Sequence, residues 1–129
     1  MIQGFETYTA ELTAHEQEHI LPLLVRGLSL RHGQDNAISN KEIVSRLNAR
    51  YHLGLTDARV RKIINHIRVN DLLPGLIATS RGYYIATSEK EITDYEESLL
   101  GRENAIRAVR LSLQRQRKAM YHPEQNLFV

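Results

Sequence analysis

The apolar positions of residues 56–68 recur at helical spacing. They lie at i, i+3, i+4 and i+7 and are Val60, Ile63, Ile64 and Ile67. At about 100° per residue these side chains share one side of a helix, and the opposite side is polar. Thr56 stands just before the run, where its hydroxyl can accept a hydrogen bond from an amide of the first turn. The pattern predicts an amphipathic helix that begins at Thr56.

The residues before this helix predict two more helices. Thr13 and Glu16 have the spacing of a capping box, in which each side chain bonds the other residue's amide, so a first helix is expected to begin at Thr13 and end by Gly33. Pro22 lies inside it and removes one backbone hydrogen bond, which predicts a kink or two shorter helices. Ser39 and Glu42 repeat the spacing at the start of a second helix.

A short turn and a hairpin surround the helix at Thr56. Leu53-Gly54-Leu55 forms the turn after the second helix, which gives the order of a helix-turn-helix. Residues 76–79 and 83–86 are β-prone and are separated by Ser80-Arg81-Gly82, so they predict a hairpin with Arg81 at its tip. A hairpin that directly follows a helix-turn-helix predicts a winged helix.

A long helix is predicted from Ser88 to about Met120, because Ser88 and Glu91 form a third capping box and apolar residues then recur every seven positions. Arg102 and Gln116 interrupt this row. We call the apolar row the seam and expect it to mediate dimerisation; it comprises Ile92, Tyr95, Leu99, Ile106, Val109, Leu113 and Met120. Acidic residues lie early in the helix and basic residues late, which suits antiparallel pairing in a homodimer. The alternative is a helix that breaks at Gly101 and folds back on its own domain.

The predicted fold class is therefore mainly α with a small β-hairpin, a winged helix-turn-helix followed by a long C-terminal helix. We divide the chain into an N-terminal tail (1–12), a winged-helix domain (13–87), a dimerisation helix (88–121) and a C-terminal tail (122–129). The 129 residues suffice for one packed core and carry a net charge of +2. Within residues 39–86, eight basic residues stand against three acidic ones. This basic segment indicates a polyanion partner.

The candidate DNA-binding residues have side chains that can contact bases or phosphates from the second helix, the helix at Thr56 and the hairpin tip. They are Lys41, Arg46, Ala58, Arg61, Lys62, Asn65, His66, Ser80 and Arg81. Arg61, Lys62 and Asn65 carry the donors that read guanine or adenine edges, and they are expected on the exposed face of the helix. Arg59 is expected nearer to its apolar face.

Residues 43–47, 60–64 and 67–68, together with Gly82-Tyr83-Tyr84-Ile85, resemble the biotin-repressor type of winged helix and small winged-helix proteins of prophages and other mobile elements. The resemblance covers residues 39–86. It implies sequence-specific binding of double-stranded DNA, as a transcriptional or replication regulator of a mobile element. Because no ligand-binding or ligase domain follows, the resemblance implies no enzymatic activity.

Two other functions stay open. One is a winged helix used as a protein-interaction adaptor in a phage or replication assembly. The other is a zinc hydrolase, because His15-Glu16-Gln17-Glu18-His19 matches the H-E-x-x-H pattern. Against a hydrolase, Glu18 is charged, Pro22 follows closely, and Glu16 already has a capping role. We therefore expect no catalytic residue, metal or cofactor. With no cysteine, no apolar run long enough to span a bilayer and no signal-peptide pattern, we expect a cytoplasmic protein without a membrane partner.

Overall fold

A computed structural model describes residues 10–122 of the chain. This part is mainly helical and contains a two-stranded antiparallel hairpin and a long C-terminal helix, so the coarse fold class is confirmed. The helices are α1 (Leu21–Leu28), α2 (Asn40–Tyr51), α3 (Asp57–Val69) and α4 (Glu89–Tyr121), and the strands are β1 (Leu76–Thr79) and β2 (Gly82–Ile85). A π-helical turn, Glu16–Ile20, precedes α1, and a 3₁₀ turn, Gln34–Asn36, precedes α2.

The helix α3 is the centre of the core, and all four of its predicted apolar residues are buried. Thr56 caps it as expected, since the Thr56 hydroxyl accepts a hydrogen bond from the Arg59 amide at 3.2 Å. Residues from the π turn, α1, α2, the two strands and two loops complete the core, which consists of Ile20, Leu24, Leu28, Ile38, Ile43, Leu55, Val60, Ile63, Ile64, Ile67, Leu76 and Ile85.

The segment around Pro22 is the predicted interruption of the first helix. The chain is helical from Ala14, widens into the π turn and becomes α-helical only at Leu21. Proline has no amide hydrogen to continue the ladder, so the change of helix type beside it has a direct physical cause. The helix ends at Leu28, earlier than the expected end at Gly33.

The hairpin pairs Leu76 with Ile85 and Thr79 with Gly82, so β2 begins one residue earlier than expected. It also pairs with the loop before α2, because Ile38 and Tyr83 exchange backbone hydrogen bonds of 3.0 and 2.8 Å. Gly82 lies at this contact with φ +125°, and a Cβ there would overlap the carbonyl group of Ile38. Only glycine allows β2 to approach the loop so closely.

The chain divides into two compact units between Ile92 and Thr93. The first holds every element through β2 and the beginning of α4. The second holds the remainder of α4, a helix of 33 residues. Ser88 accepts a hydrogen bond from the Glu91 amide at 3.2 Å, which agrees with the predicted start. Within residues 10–122, no helix is both long enough and apolar enough to cross a membrane. The predicted tails fall largely on residues 1–9 and 123–129, which lie outside the described residues.

Candidate nucleic-acid interface

Asn40 joins three elements at one point. Its side-chain amide donates a hydrogen bond to the backbone carbonyl of Asp57, at 3.1 Å, and its side-chain carbonyl accepts one from the hydroxyl of Tyr83, also at 3.1 Å. Because Asn40 and Asp57 are the first residues of α2 and α3, the beginnings of both helices are tied to β2. The surface formed by these helix beginnings and the hairpin tip is called the convergence face below.

Six of the predicted DNA-binding residues are exposed on the elements of the convergence face, and Arg46, further along α2, is described below. Lys41 lies in the first turn of α2, Ala58 in the first turn of α3, and Arg61 one turn further along α3. Ser80 and Arg81 form the two-residue turn between β1 and β2. Thr79 holds this turn, since its hydroxyl accepts a hydrogen bond from the Arg81 amide at 3.2 Å. The side chain of Arg81 is therefore presented at the tip, as expected.

Lys62 contradicts the expectation that it lies on the exposed face of its helix. Only 12% of its side chain is exposed, and its Nζ lies 2.6 Å from Oε1 of Glu16. Arg59 approaches the same carboxylate, with its Nε 3.3 Å from Oε2. Glu16 thus covers a side of α3 that the amphipathic pattern assigned to solvent. The apolar pattern failed to predict this because it identifies the face packed by apolar groups and carries no information on polar coverage by a distant residue.

The carboxylate of Glu16 is enclosed, with 1% of the residue exposed. Its Oε1 also accepts a hydrogen bond from the Thr13 amide at 2.9 Å, while the Glu16 amide bonds the Thr13 hydroxyl at 3.1 Å, which completes the predicted capping box. Burial raises the pKa of Glu16, but hydrogen bonds from Lys62, Thr13 and Arg59 outweigh it and lower the pKa from 4.5 to about 2. The group therefore stays ionised at neutral pH and carries a buried charge with its partners in place.

The remaining predicted contact residues are partly engaged with their own helices. Arg46 is exposed but lies 3.5 Å from Glu42, one turn earlier on α2. Asn65 and His66 are half-buried on α3. The side-chain amide of Asn70 donates to the backbone carbonyl of His66 at 2.9 Å, which holds this end of the helix. Of the two long basic side chains that α3 contributes to the candidate residues, Arg61 and Lys62, Arg61 is thus the exposed one.

Asn48 is a structural residue that the sequence reasoning missed. Its side chain donates to the carbonyl of Leu55 at 2.9 Å and accepts from the amide of Leu55 at 2.7 Å. This pair of bonds holds the turn between α2 and α3. An available signal was the asparagine itself, which is a poor helix former and lies one turn before a helix end, where it can bond a following backbone group.

In the H-E-x-x-H segment the glutamate is buried in ion pairs and the two histidines are exposed. The rings of His15 and His19 lie 5.1 Å apart, and both residues are exposed, whereas Glu16 is directed to Lys62 and Arg59. A zincin needs this glutamate beside the metal-bound water, as a general base. Among residues 10–122, no cluster of three or more His, Asp or Glu that could hold a metal ion is found.

The predicted dimerisation residues all lie within α4, and none of them is buried. Tyr95 is half-buried, and the other members of the seam are between 39% and 67% exposed. The apolar seam is therefore exposed along α4.

Comparisons of the chain with protein-family models, with curated proteins and with solved structures gave no significant match.

Proposed function

We propose that the protein binds double-stranded DNA through the convergence face, as a winged helix whose α3 enters the major groove and whose hairpin lies along the flanking backbone. Its role is then that of a transcriptional or replication regulator, as the resemblance to winged-helix proteins of mobile elements implies. The observation that carries this proposal is the connection made by Asn40, which holds the beginnings of α2 and α3 beside β2.

The arrangement suits DNA for two reasons. Helix beginnings carry partial positive charge and amide donors, both of which favour phosphate. The exposed basic side chains Lys41, Arg61 and Arg81 stand on the same elements. A winged helix uses such a surface, with one helix in the groove and a hairpin on the backbone.

The pairing of Glu16 with Lys62 and Arg59 reduces the number of residues that we expect to contact bases. Lys62 is committed to a buried carboxylate, so we no longer expect it to read a base edge. Arg61 is exposed and has the fork of donors that binds guanine O6 and N7. Asn65, half-buried on the same helix, can bond adenine N6 and N7 from its remaining surface. Ala58 is small and exposed, which allows close approach to a thymine methyl group.

The direct test is fluorescence anisotropy of the full chain with a labelled duplex of random sequence, over a range of salt concentrations. Three phosphate contacts per chain, by Lys41, Arg46 and Arg81, predict a slope of log affinity against log salt of about −3. Selection of tight binders from a random duplex library would then identify the preferred site. Absence of binding even at low salt would refute the proposal.

Two variants separate base reading from backbone binding. Arg61→Ala is expected to weaken binding to the selected site by about 1–3 kcal/mol and to relax the preference at one position. Arg81→Ala is expected to weaken selected and random duplexes equally. Arg107→Ala on α4 is the matched control, because it removes an equal charge from an element that is not part of the convergence face. If all three variants bind alike, the assignment of the face is wrong.

The second candidate is a protein-interaction adaptor, which the exposure of the seam on α4 favours. An adaptor predicts weak affinity for duplex at every salt concentration. The same anisotropy titration therefore separates the two functions.

A further inference from the structure

The exposed seam on α4 is long and regular. The helix has 33 residues, a length of about 50 Å, and contains no buried residue. Its apolar side chains at seven-residue intervals, Ile92, Leu99, Ile106, Leu113 and Met120, are between 39% and 67% exposed. A row of this kind is the surface that a helix presents to another helix in a coiled coil.

The rows beside the seam carry a second pattern. With Ile92 taken as position a of a heptad, the e positions change sign along the helix and are Glu89, Glu96, Glu103, Arg110 and Arg117. The g positions after Glu91 are all small and are Ser98, Ala105, Ser112 and Ala119. One flank is therefore charged and polarised, and the other allows close approach of a second backbone.

Both flanks are self-complementary in one antiparallel register. In an antiparallel pair, position a packs against d of the other helix, and each flank meets its own counterpart. When Ile106 packs against Val109 of a second copy, Glu103 comes opposite Arg110 and Glu96 opposite Arg117. Small residues meet small residues on the other flank. The two-fold symmetry repeats each of these contacts.

The polar interruption at Arg102 agrees with the same register. Arg102 then lies against Leu113 of the second copy, where its apolar stem can cover the leucine while the guanidinium reaches solvent. A parallel pair would instead place Arg102 against its own copy, with like charges in the core. Shifting the antiparallel register by one heptad would place Glu103 against Glu103 or Arg110 against Arg110.

We propose that α4 pairs with α4 of a second copy of this chain in an antiparallel orientation, with Ile106 against Val109 and with Glu103 and Glu96 against Arg110 and Arg117. The proposal is independent of DNA binding, because it rests only on the exposure and the heptad pattern of α4. The partner of the exposed seam is then the seam of a second copy.

Sedimentation equilibrium of the full chain at micromolar concentration tests the pairing. The wild type is expected to be a dimer. Val109→Glu places a charge in the central layer and is expected to weaken the dimer by at least about tenfold. Ala108→Glu, the matched control, adds the same charge at the adjacent exposed position outside the seam and should remain dimeric. A wild type that is monomeric throughout would overturn the proposal.

Charge reversal tests the register. Glu103→Arg and Arg110→Glu each turn two attractive contacts of the dimer into repulsive ones, and each is expected to weaken the dimer by about tenfold. The double variant restores opposite charges and should recover the wild-type dissociation constant. A double variant as weak as the two single variants would refute this register.

Cross-linking tests the orientation, and it is simple because the chain has no cysteine. A mixture of Leu99→Cys and Gln116→Cys chains should form a mixed disulfide, since these positions share a layer in the antiparallel register. Leu99→Cys alone should not cross-link, because the two copies of residue 99 would lie about 25 Å apart. Efficient cross-linking of Leu99→Cys alone would indicate a parallel pair and overturn the orientation.

Discussion

Replacement of Lys62 by methionine is expected to destabilise the fold rather than simply to remove a DNA contact. Methionine keeps the length and the apolar stem of the lysine but removes the ammonium group that lies 2.6 Å from Glu16. The carboxylate would then be buried with Arg59 and the Thr13 amide as its remaining partners. A buried charge that loses one partner is costly because its desolvation is no longer compensated.

The magnitude follows from the pKa of Glu16. Its decrease from 4.5 to about 2 corresponds to about 3 kcal/mol of preference for the ionised form in the folded protein, at about 1.4 kcal/mol per pKa unit. The hydrogen bond from Lys62 is the strongest of the interactions that lower this pKa. We therefore expect Lys62→Met to reduce the free energy of unfolding by about 2–3 kcal/mol at pH 7.

The pH dependence has a defined sign. Because the folded-state pKa of Glu16 lies below its unfolded value of 4.5, its stabilisation is present above about pH 5 and is lost as the pH falls toward 2. In Lys62→Met the pKa of Glu16 should rise, so less stability remains to be lost in acid. The difference between wild type and variant should consequently shrink as the pH falls from 5 to 2.

Urea denaturation followed by far-ultraviolet circular dichroism, at pH 7 and at pH 3, measures both effects. Glu18→Gln is a control for the loss of a charged group near Glu16, because the side chain of Glu18 is exposed. Arg61→Ala is the control on α3, and both should stay within about 0.5 kcal/mol of wild type. A Lys62→Met protein that unfolds like wild type would refute the structural role of Lys62. If the same protein also lost DNA affinity as Arg61→Ala does, Lys62 would face the ligand.

Three further substitutions test how the convergence face is held. Gly82→Ala should destabilise the protein by about 1–3 kcal/mol or more, because its φ is positive and its Cβ meets Ile38; thermal melts of this variant and of Gly101→Ala, where a Cβ meets nothing, measure the difference. Asn48→Ala should cost about 1–3 kcal/mol in chemical denaturation, because the backbone N–H and carbonyl of buried Leu55 both lose their partner, while Asn104→Ala on exposed α4 should cost little. Thr56→Ala should cost about 1 kcal/mol in the same measurement and Thr56→Ser almost nothing, because serine retains the capping hydroxyl.

The elements that depend on neighbours in the sequence were predictable. The caps at Thr56 and Ser39, the buried residues of α3 and the start of α4 follow from spacings of three to seven residues, and the structure confirms them. The hairpin was displaced by one residue at β2, because Gly82 was assigned to the turn although its backbone joins the strand. Local chemistry determines these features, so a local pattern predicts them.

The contacts that span the chain were not predictable in the same way. The partners in the Glu16–Lys62 and Asn40–Tyr83 pairs are more than forty residues apart in the sequence, and neither pair produces a periodic sequence pattern. Glu16 already satisfied the capping box and the H-E-x-x-H pattern, so nothing in its neighbourhood called for a buried partner. The exposed part of the candidate interface, by contrast, agrees with expectation at Arg61 and Arg81.

If α3 reads DNA as proposed, the unequal use of its polar positions limits how its specificity can change. Positions 59 and 62 serve the carboxylate of Glu16, so a substitution at 62 that improves a base contact would also weaken the fold. Residues 58 and 61 are exposed and make no ion pair with Glu16, so substitutions there are expected to change stability little. Retargeting of this helix, by selection or by design, would therefore proceed through 58 and 61, and Lys62 would change only together with Glu16.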